Sequence, residues 1–152
     1  PGYVRLSRPA NAVLYKSEEA FPLGGLKVLK EHSAPRLTVA TCGVVIHEAL
    51  KAIEALGASA AVQLVDLYCL KPFPTVAMEK LLAASNGRVL VLEEHSPAGG
   101  VGEAFAASLA GKIRDWHHVA VDRVPRCGTP DEMLASFGLS AGKIKEKIQS
   151  LV

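Results

Sequence analysis

The sequence predicts an α/β fold, a three-layer α/β/α sandwich around a mostly parallel sheet, with one edge strand suited to antiparallel pairing. Short apolar runs rich in β-branched residues alternate with segments whose apolar residues recur at helical spacing. The runs are apolar at consecutive positions, so both of their faces are predicted to be buried, as in parallel strands covered by helices. Right-handed crossovers between such strands place helices on both sides of the sheet.

Strands are predicted where an apolar run ends in a turn signal. The first run ends at Ser7-Arg8-Pro9, and a polar stretch without a clear period follows it to about Pro22. The short second run ends at the turn-prone segment 31–35, and it is the candidate for an antiparallel edge strand. The predicted strands are residues 3–6, 26–29, 37–41, 62–67, 89–92 and 119–121.

Helices are predicted between the strands from the spacing of apolar residues. Gly57 and Gly87 end the first two helices, and a glycine cluster precedes the third. The predicted apolar faces consist of Ile46, Ala49, Leu50, Ile53 and Leu56 in the first helix, Ala77, Leu81 and Ala84 in the second, and Phe105 and Leu109 in the third.

Two further helices are predicted to close the chain. Thr129 is a candidate N-cap, Pro130 suits the first helical position, and Glu132 completes a capping box. Gly138 ends this helix, and Ser140 is the candidate cap of the next one. The apolar stripe of the last helix consists of Ile144, Ile148 and Leu151.

Composition narrows the class of protein. The chain has 152 residues, enough for one domain, and its 49% hydrophobic and 21% charged residues are ordinary for a globular protein. Its net charge of +2, with basic and acidic residues interspersed, argues against nucleic-acid binding. No apolar run approaches the ~20 residues of a membrane span, and no signal peptide is expected. Three widely spaced cysteines indicate reduced thiols in a cytoplasmic protein, and a start at Pro1 suggests a piece of a longer one.

Two clusters at predicted loop positions are candidate sites, each with a structural alternative. The glycines of Gly99-Gly100-Val101-Gly102 could cradle a phosphate at a helix N-terminus, but the dinucleotide spacing is incomplete. Close approach of the helix to the strand is therefore the favoured interpretation. Glu93-Glu94-His95 follows a strand and could form an acid/base set. No nucleophile motif accompanies it, and a solvated rim or a subunit interface is favoured.

The remaining polar residues carry weaker signals. The adjacent pair His117-His118 would point to opposite faces of a strand, and no metal site is expected in this chain. Cys42 and Cys69 end apolar strands and are interpreted as inert thiols. On composition alone, the arginines of the first run are interpreted as surface residues: Arg5 and Arg8.

Several motifs, in order and at matching spacing, resemble the C-terminal part of transketolase. The segments most specific to that family are Ser7-Arg8-Pro9, within Val4–Pro9, and Val124-Pro125-Arg126-Cys127-Gly128, within Arg123–Leu134. The motifs shared with other thiamine-diphosphate enzymes are Ile46-His47-Glu48-Ala49-Leu50, Leu70-Lys71-Pro72 and Val91–His95 followed by Gly99–Ala104. The resemblance covers essentially the whole chain.

The resemblance implies that the parent protein transfers a two-carbon ketol unit between sugar phosphates in the pentose phosphate pathway. Transketolases use thiamine diphosphate with Mg or Ca, and each subunit of the homodimer has three domains. Residues 1–22 would be the tail of the preceding pyrimidine-binding domain and a linker, and residues 23–152 the C-terminal domain. The family's Gly-Asp-Gly and Asn-Asn motif and its essential glutamate are absent. No catalytic, cofactor-binding or metal-binding residue is therefore expected here, and the fragment alone is expected to be inactive.

One functional residue of the family is matched. The arginine of the Ser-Arg-Pro element helps bind the sugar phosphate, and here it is Arg8. A guanidinium suits this role because its planar fork matches phosphate oxygens. The sequence departs from the family at Pro74, where Asp is expected, so Thr75 becomes the candidate helix cap. It also departs at Cys127, where Ser is common.

Two alternatives remain open at this stage. The first is another thiamine-diphosphate enzyme, either deoxyxylulose-phosphate synthase or the beta subunit of a 2-oxo acid dehydrogenase. The second is a regulatory small-ligand-binding module with a crevice at Glu94, His95 and Gly99. A structural, dimer-supporting role describes the fragment itself, whose expected partners are the remaining transketolase domains, with sugar phosphates bound by the intact enzyme. Nucleic acid and membrane are not expected partners.

Overall fold

A five-stranded sheet organises the chain in the computed structural model, which describes residues 2–4 and 11–152. The strands are β1 Lys27–Lys30, β2 Leu37–Thr41, β3 Val62–Asp66, β4 Arg88–Leu92 and β5 Asp115–Val119. The helices are α1 Val45–Leu56, α2 Thr75–Ala84, α3 Val101–Leu109, α4 Pro130–Ser136 and α5 Ala141–Gln149, with a 3₁₀ turn at Ala58–Ala60. No helix in this described part of the chain is long and apolar enough to cross a membrane.

The strand order confirms the predicted α/β class. The order is β1-β3-β2-β4-β5, with β1 antiparallel to β3 and every other pair parallel. The edge strand expected at residues 26–29 is therefore present and antiparallel. Of the strand predicted at residues 3–6, only Tyr3 and Val4 are described, and both are exposed and outside any strand.

Helices cover both faces of the sheet, which gives the three predicted layers. β2 and β3 are buried at every position, as expected for strands that alternate their side chains between two cores. On one face, Val39 and Leu64 pack with residues of α1 and α5. On the other face, Ala40 and Val65 pack with residues of α2 and α3. The sheet therefore lies between two hydrophobic cores, each covered by helices.

Two element predictions need correction. The last strand is Asp115–Val119, rather than residues 119–121. It is only half-buried at the edge of the sheet and contains polar residues, so it lacks the apolar run by which the other strands were predicted. In α2 the buried residues are Met78 and Leu82; of the predicted face, Leu81 is half-buried against the core, whereas Ala77 and Ala84 are exposed. The predicted face was therefore rotated, because the larger side chains bury more apolar area than the alanines.

Of the three helix N-caps predicted from the sequence, one is confirmed. At α4, Thr129 and Glu132 form the predicted capping box. At α5, the side chain of Ser140 accepts no capping bond, and Glu48 of α1 accepts one from the Ala141 amide at 2.8 Å. At α2, Thr75 does not act as the cap, because it is already the first helical residue and Pro74 occupies the N-cap position.

Candidate functional site

The connections that follow β2 and β4 lie on opposite faces of the sheet. α1 follows β2 and packs on the α5 face, whereas α3 follows β4 and packs on the α2 face. β2 and β4 are neighbours in the sheet, so a crevice is expected outside their carboxyl ends. Open α/β sheets bind ligands at such a topological switch point.

Glu93 lies at the end of β4 with only 1% of its surface exposed. Its carboxylate accepts hydrogen bonds from the amides of Val101 at 2.6 Å and Gly102 at 3.0 Å. The same carboxylate lies 2.6 Å from Nε2 of His118. Glu93 therefore neutralises the amino end of α3, where helix amides otherwise lack partners.

The glycine cluster allows this contact. A Cβ atom at Gly100 would lie 2.0 Å from Oε2 of Glu93, and one at Gly102 would lie 2.4 Å from Cε1 of His118. Gly99 has φ of +75°, a conformation that favours glycine. Close approach is therefore the reason for the glycines, as the favoured interpretation held, although the approaching groups are side chains. The position in which a phosphate would sit holds the Glu93 carboxylate instead.

The structure separates the three residues that the sequence grouped as an acid/base candidate. Glu93 is buried, whereas Glu94 and His95 are exposed. Nδ1 of His95 lies 2.7 Å from the Ser96 carbonyl oxygen. Glu93 is fully engaged with α3 and His118, so the three side chains do not form one catalytic set.

A cavity of about 680 Å³ lies at the switch point, between α1, α4 and the loop after β4. Val44 and His47 line it from the α1 side, Glu94 from the loop, and Asp131 and Met133 from α4. The volume falls within the range of roughly 300–1,000 Å³ typical of small-molecule sites. Of these residues, sequence reasoning placed only Glu94 in a candidate site, because His47 and Asp131 come from helices that are distant along the chain.

Three further polar groups meet at the carboxyl end of β3. Asp66 is buried, and its Oδ2 accepts a hydrogen bond from the Tyr15 hydroxyl at 2.5 Å. Burial raises the pKa of Asp66 despite the hydrogen bond from Tyr15, and burial together with Asp66 raises the pKa of Tyr15. Lys27 lies over the rings of Tyr15 and Phe21, at 4.8 and 4.2 Å from their centroids. These contacts fasten the irregular segment before β1 onto the sheet.

The three cysteines, all within the described residues, are free thiols. Burial, followed by the nearby carboxylates of Asp66 and Glu93, raises the pKa of Cys42 to about 11. Cys69 is buried and its Sγ lies 3.1 Å from the Gly24 amide nitrogen, whereas Cys127 is exposed. Cys42 is therefore protonated at neutral pH, in agreement with the interpretation of an inert thiol.

The adjacent histidines point to different partners, as a strand requires. His118 faces Glu93, and Nε2 of His117 lies 2.9 Å from Oδ1 of Asp115. Within residues 2–4 and 11–152, no three His, Cys, Asp or Glu side chains are grouped so as to hold a metal ion. The remaining candidate, Arg8, lies outside the described residues.

Comparison with known proteins identifies the family. The family described as "Transketolase, C-terminal domain" matches residues 26–144. Transketolase of Homo sapiens is 35% identical over 152 residues, which cover 99% of this chain and 24% of that protein. Transketolase-like protein 1 of Bos taurus is 34% identical over 144 residues, covering 93% of this chain and 24% of that protein. The chain thus spans about a quarter of the length of these relatives.

Solved structures agree with this assignment. A chain described as "Split gene transketolase, inactive beta4 tetramer" superposes with a TM-score of 0.81 and 28% identity, covering 92% of this chain and 46% of that one. Transketolase from Leishmania mexicana has a TM-score of 0.64 at 16% identity, covering 84% of this chain and 18% of that one, which supports the fold. The fold, the matched segment and the relatives agree, and the chain belongs to the transketolase C-terminal domain family.

Proposed function

We propose that the chain is the C-terminal region of a transketolase, an enzyme that transfers a two-carbon ketol unit between sugar phosphates in the pentose phosphate pathway. The observation that carries the proposal is the similarity to transketolase of Homo sapiens along 99% of the chain. In this proposal, residues 1–22 are the tail of the pyrimidine-binding domain and a linker, and residues 23–152 are the C-terminal domain. The Tyr15–Asp66 hydrogen bond joins the end of the first segment to the sheet of the second.

The proposed role of this chain within the enzyme is structural and dimer-supporting. The parent is a cytoplasmic homodimer that uses thiamine diphosphate with Mg or Ca, and that cofactor supplies the nucleophilic carbon for ketol transfer. The residues of this chain do not fit the group. The sequence lacks the diphosphate motif, the amino end of α3 is already occupied by Glu93, and the described residues hold no metal-binding cluster.

Arg8 is the residue proposed to act on the substrate. In the intact enzyme its guanidinium would bind the terminal phosphate of the sugar by charge-assisted hydrogen bonds. Binding a remote phosphate orients the reacting carbonyl without taking part in the chemistry. Arg8 is thus a substrate-binding residue, and the chemistry belongs to groups outside this chain.

A calorimetric titration of the 152-residue chain with thiamine diphosphate and Mg²⁺ tests the non-catalytic role. We expect no saturable heat and no ketol transfer from a ketose phosphate to an aldose phosphate. Transketolase of Homo sapiens, titrated under the same conditions, is the positive control. Saturable binding at micromolar concentration by the 152-residue chain would contradict the proposed role.

A further inference from the structure

The outer surfaces of the two helical layers differ in character. On one face of the sheet, α1 and α5 expose mainly charged side chains, which include Lys51, Glu54, Lys143 and Glu146. On the other face, the exposed residues of α2 are Val76, Ala77, Lys80, Ala83 and Ala84. The opposite side of α2 is buried in the core through Met78 and Leu82. α2 is therefore apolar on both sides, which is typical of a helix that is covered on both sides.

Larger exposed apolar side chains lie at the amino end of α2. Val76 is 70% exposed, and Leu23, in the segment before β1, is 87% exposed. A Cβ atom at Gly24 would lie 3.2 Å from Cγ of Pro72, in the turn that leads into α2. Leu23 is thus held beside this turn. Together these exposed residues form one surface, called the α2 patch: Leu23, Pro72, Val76, Ala77, Ala83 and Ala84.

The segment before β1 is fixed at this position by several contacts. The Tyr68 hydroxyl donates a hydrogen bond to the Pro22 carbonyl oxygen at 3.1 Å, and the Gly24 amide nitrogen lies 3.1 Å from Sγ of Cys69. The ring of Phe21 packs edge-on against those of Tyr15 and Tyr68, with centroids 4.9 Å apart in each pair. Leu23 therefore points outward from an anchored backbone. Contiguous apolar surface of this kind marks an interaction site more often than scattered apolar residues do.

The geometry points to the α2 patch as the docking surface for the domain that precedes this one in the parent chain. This inference rests on the proposed function, in which residues 1–22 lead from that domain and about three-quarters of the parent lies outside this chain. Residues 22–24 lie against the turn before α2, so the connection enters beside the patch. Elements joined by a short connection are usually neighbours in space, and covering Leu23 and Val76 removes apolar area from water. The charged outer surface of α1 and α5 stays in water.

Cysteine reporters test the docking surface. Val76→Cys and Ala83→Cys are each introduced into the 152-residue chain and into the intact parent enzyme, and a maleimide labels them with peptide-resolved mass spectrometry. In the 152-residue chain, both thiols should react about as fast as the exposed native Cys127. In the parent enzyme, we expect both to react at least about tenfold more slowly, because labelling then requires local opening of the interface. Lys143→Cys, on the exposed side of α5, is the matched control and should react equally in both proteins.

The other occupants give different results. Equal labelling of the patch in both proteins would leave it in water and overturn the inference. Slow labelling in the 152-residue chain that depends on its concentration would assign the patch to a second copy, and protection lost when the parent's subunits dissociate would assign it to the partner subunit; either result would also overturn it.

Ketol transfer, measured on the same parent samples, separates this inference from the proposed function. An active parent with a rapidly labelled patch would overturn the docking surface alone. A protected patch in a parent without ketol transfer would support the docking surface and contradict the proposed function.

Discussion

The contact between Glu93 and α3 predicts a large effect from a change that preserves shape. Glu93→Gln keeps the size of the side chain but removes its charge. The carboxylate meets three donors, the amides of Val101 and Gly102 and the ring of His118, at 2.6 to 3.0 Å. The amide of glutamine has only one oxygen, so its NH₂ group must face at least one of these donors.

The expected loss follows from the burial of the site. A hydrogen bond to a charged group contributes about 1.5–3 kcal/mol, and an unsatisfied buried donor costs about 1–3 kcal/mol. We therefore expect Glu93→Gln to lower the free energy of unfolding by about 2–4 kcal/mol, allowing for partial rearrangement. For a chain of this length, that corresponds to roughly 5–15 °C in Tm.

Urea unfolding followed by circular dichroism measures this effect, with Glu94→Gln as the matched control. Glu94 is the exposed neighbour of Glu93, and its variant should stay within about 0.5 kcal/mol of the wild type. An unchanged slope with denaturant would show that the difference lies in stability alone. A loss below about 1 kcal/mol for Glu93→Gln would refute the assignment of Glu93 as the group that stabilises the amino end of α3.

Three further predictions concern titration, thiol reactivity and substrate binding. Burial raises the pKa of Asp66 above its ordinary value of 3.8. Between 3.8 and the raised value the folded chain therefore holds a proton that the unfolded chain has lost, and the free energy of unfolding falls as the pH rises. Asp66→Asn should remove that contribution, and an identical pH dependence of the free energy of unfolding in the variant and the wild type would contradict it. With a pKa of about 11, roughly a thousandth of Cys42 is ionised at pH 8, so a thiol reagent should label exposed Cys127 first, and labelling of Cys42 at an equal rate would be inconsistent with the burial. In the parent enzyme, Arg8→Ala should weaken the binding of phosphorylated sugars roughly ten- to hundred-fold, and Arg8→Lys should recover part of that affinity. An equal loss of affinity for unphosphorylated sugars would make Arg8 a structural residue.

The parallel sheet could be predicted because its central strands are apolar on both faces. Residues 37–41 and 62–66 are buried throughout, so no period was needed to recognise them. The capping box at Thr129 was also predictable, since its partners lie three residues apart. Such local and fully buried patterns are the ones that a single sequence expresses most directly.

The site depended on contacts that a single sequence does not express. Tyr15 and Asp66 lie 51 residues apart, and Glu48 caps a helix 93 residues away from it. Glu93 follows an apolar strand, and this position marked it as a candidate site residue. Its burial, however, depends on the amides of α3 and on His118, which the sequence alone does not bring near it. The edge strand β5 was displaced in the prediction because half-buried edges admit polar residues such as Asp115 and His117.

A chimera tests the assignment to transketolase most directly. In this experiment, the quarter of transketolase of Homo sapiens that this chain matches is removed, and the 152-residue chain is joined in its place. Circular dichroism and thiamine diphosphate binding establish that the product is folded. We expect the truncated enzyme to show no ketol transfer between sugar phosphates and the chimera to restore it, whereas a folded, cofactor-binding chimera without ketol transfer would contradict the assignment.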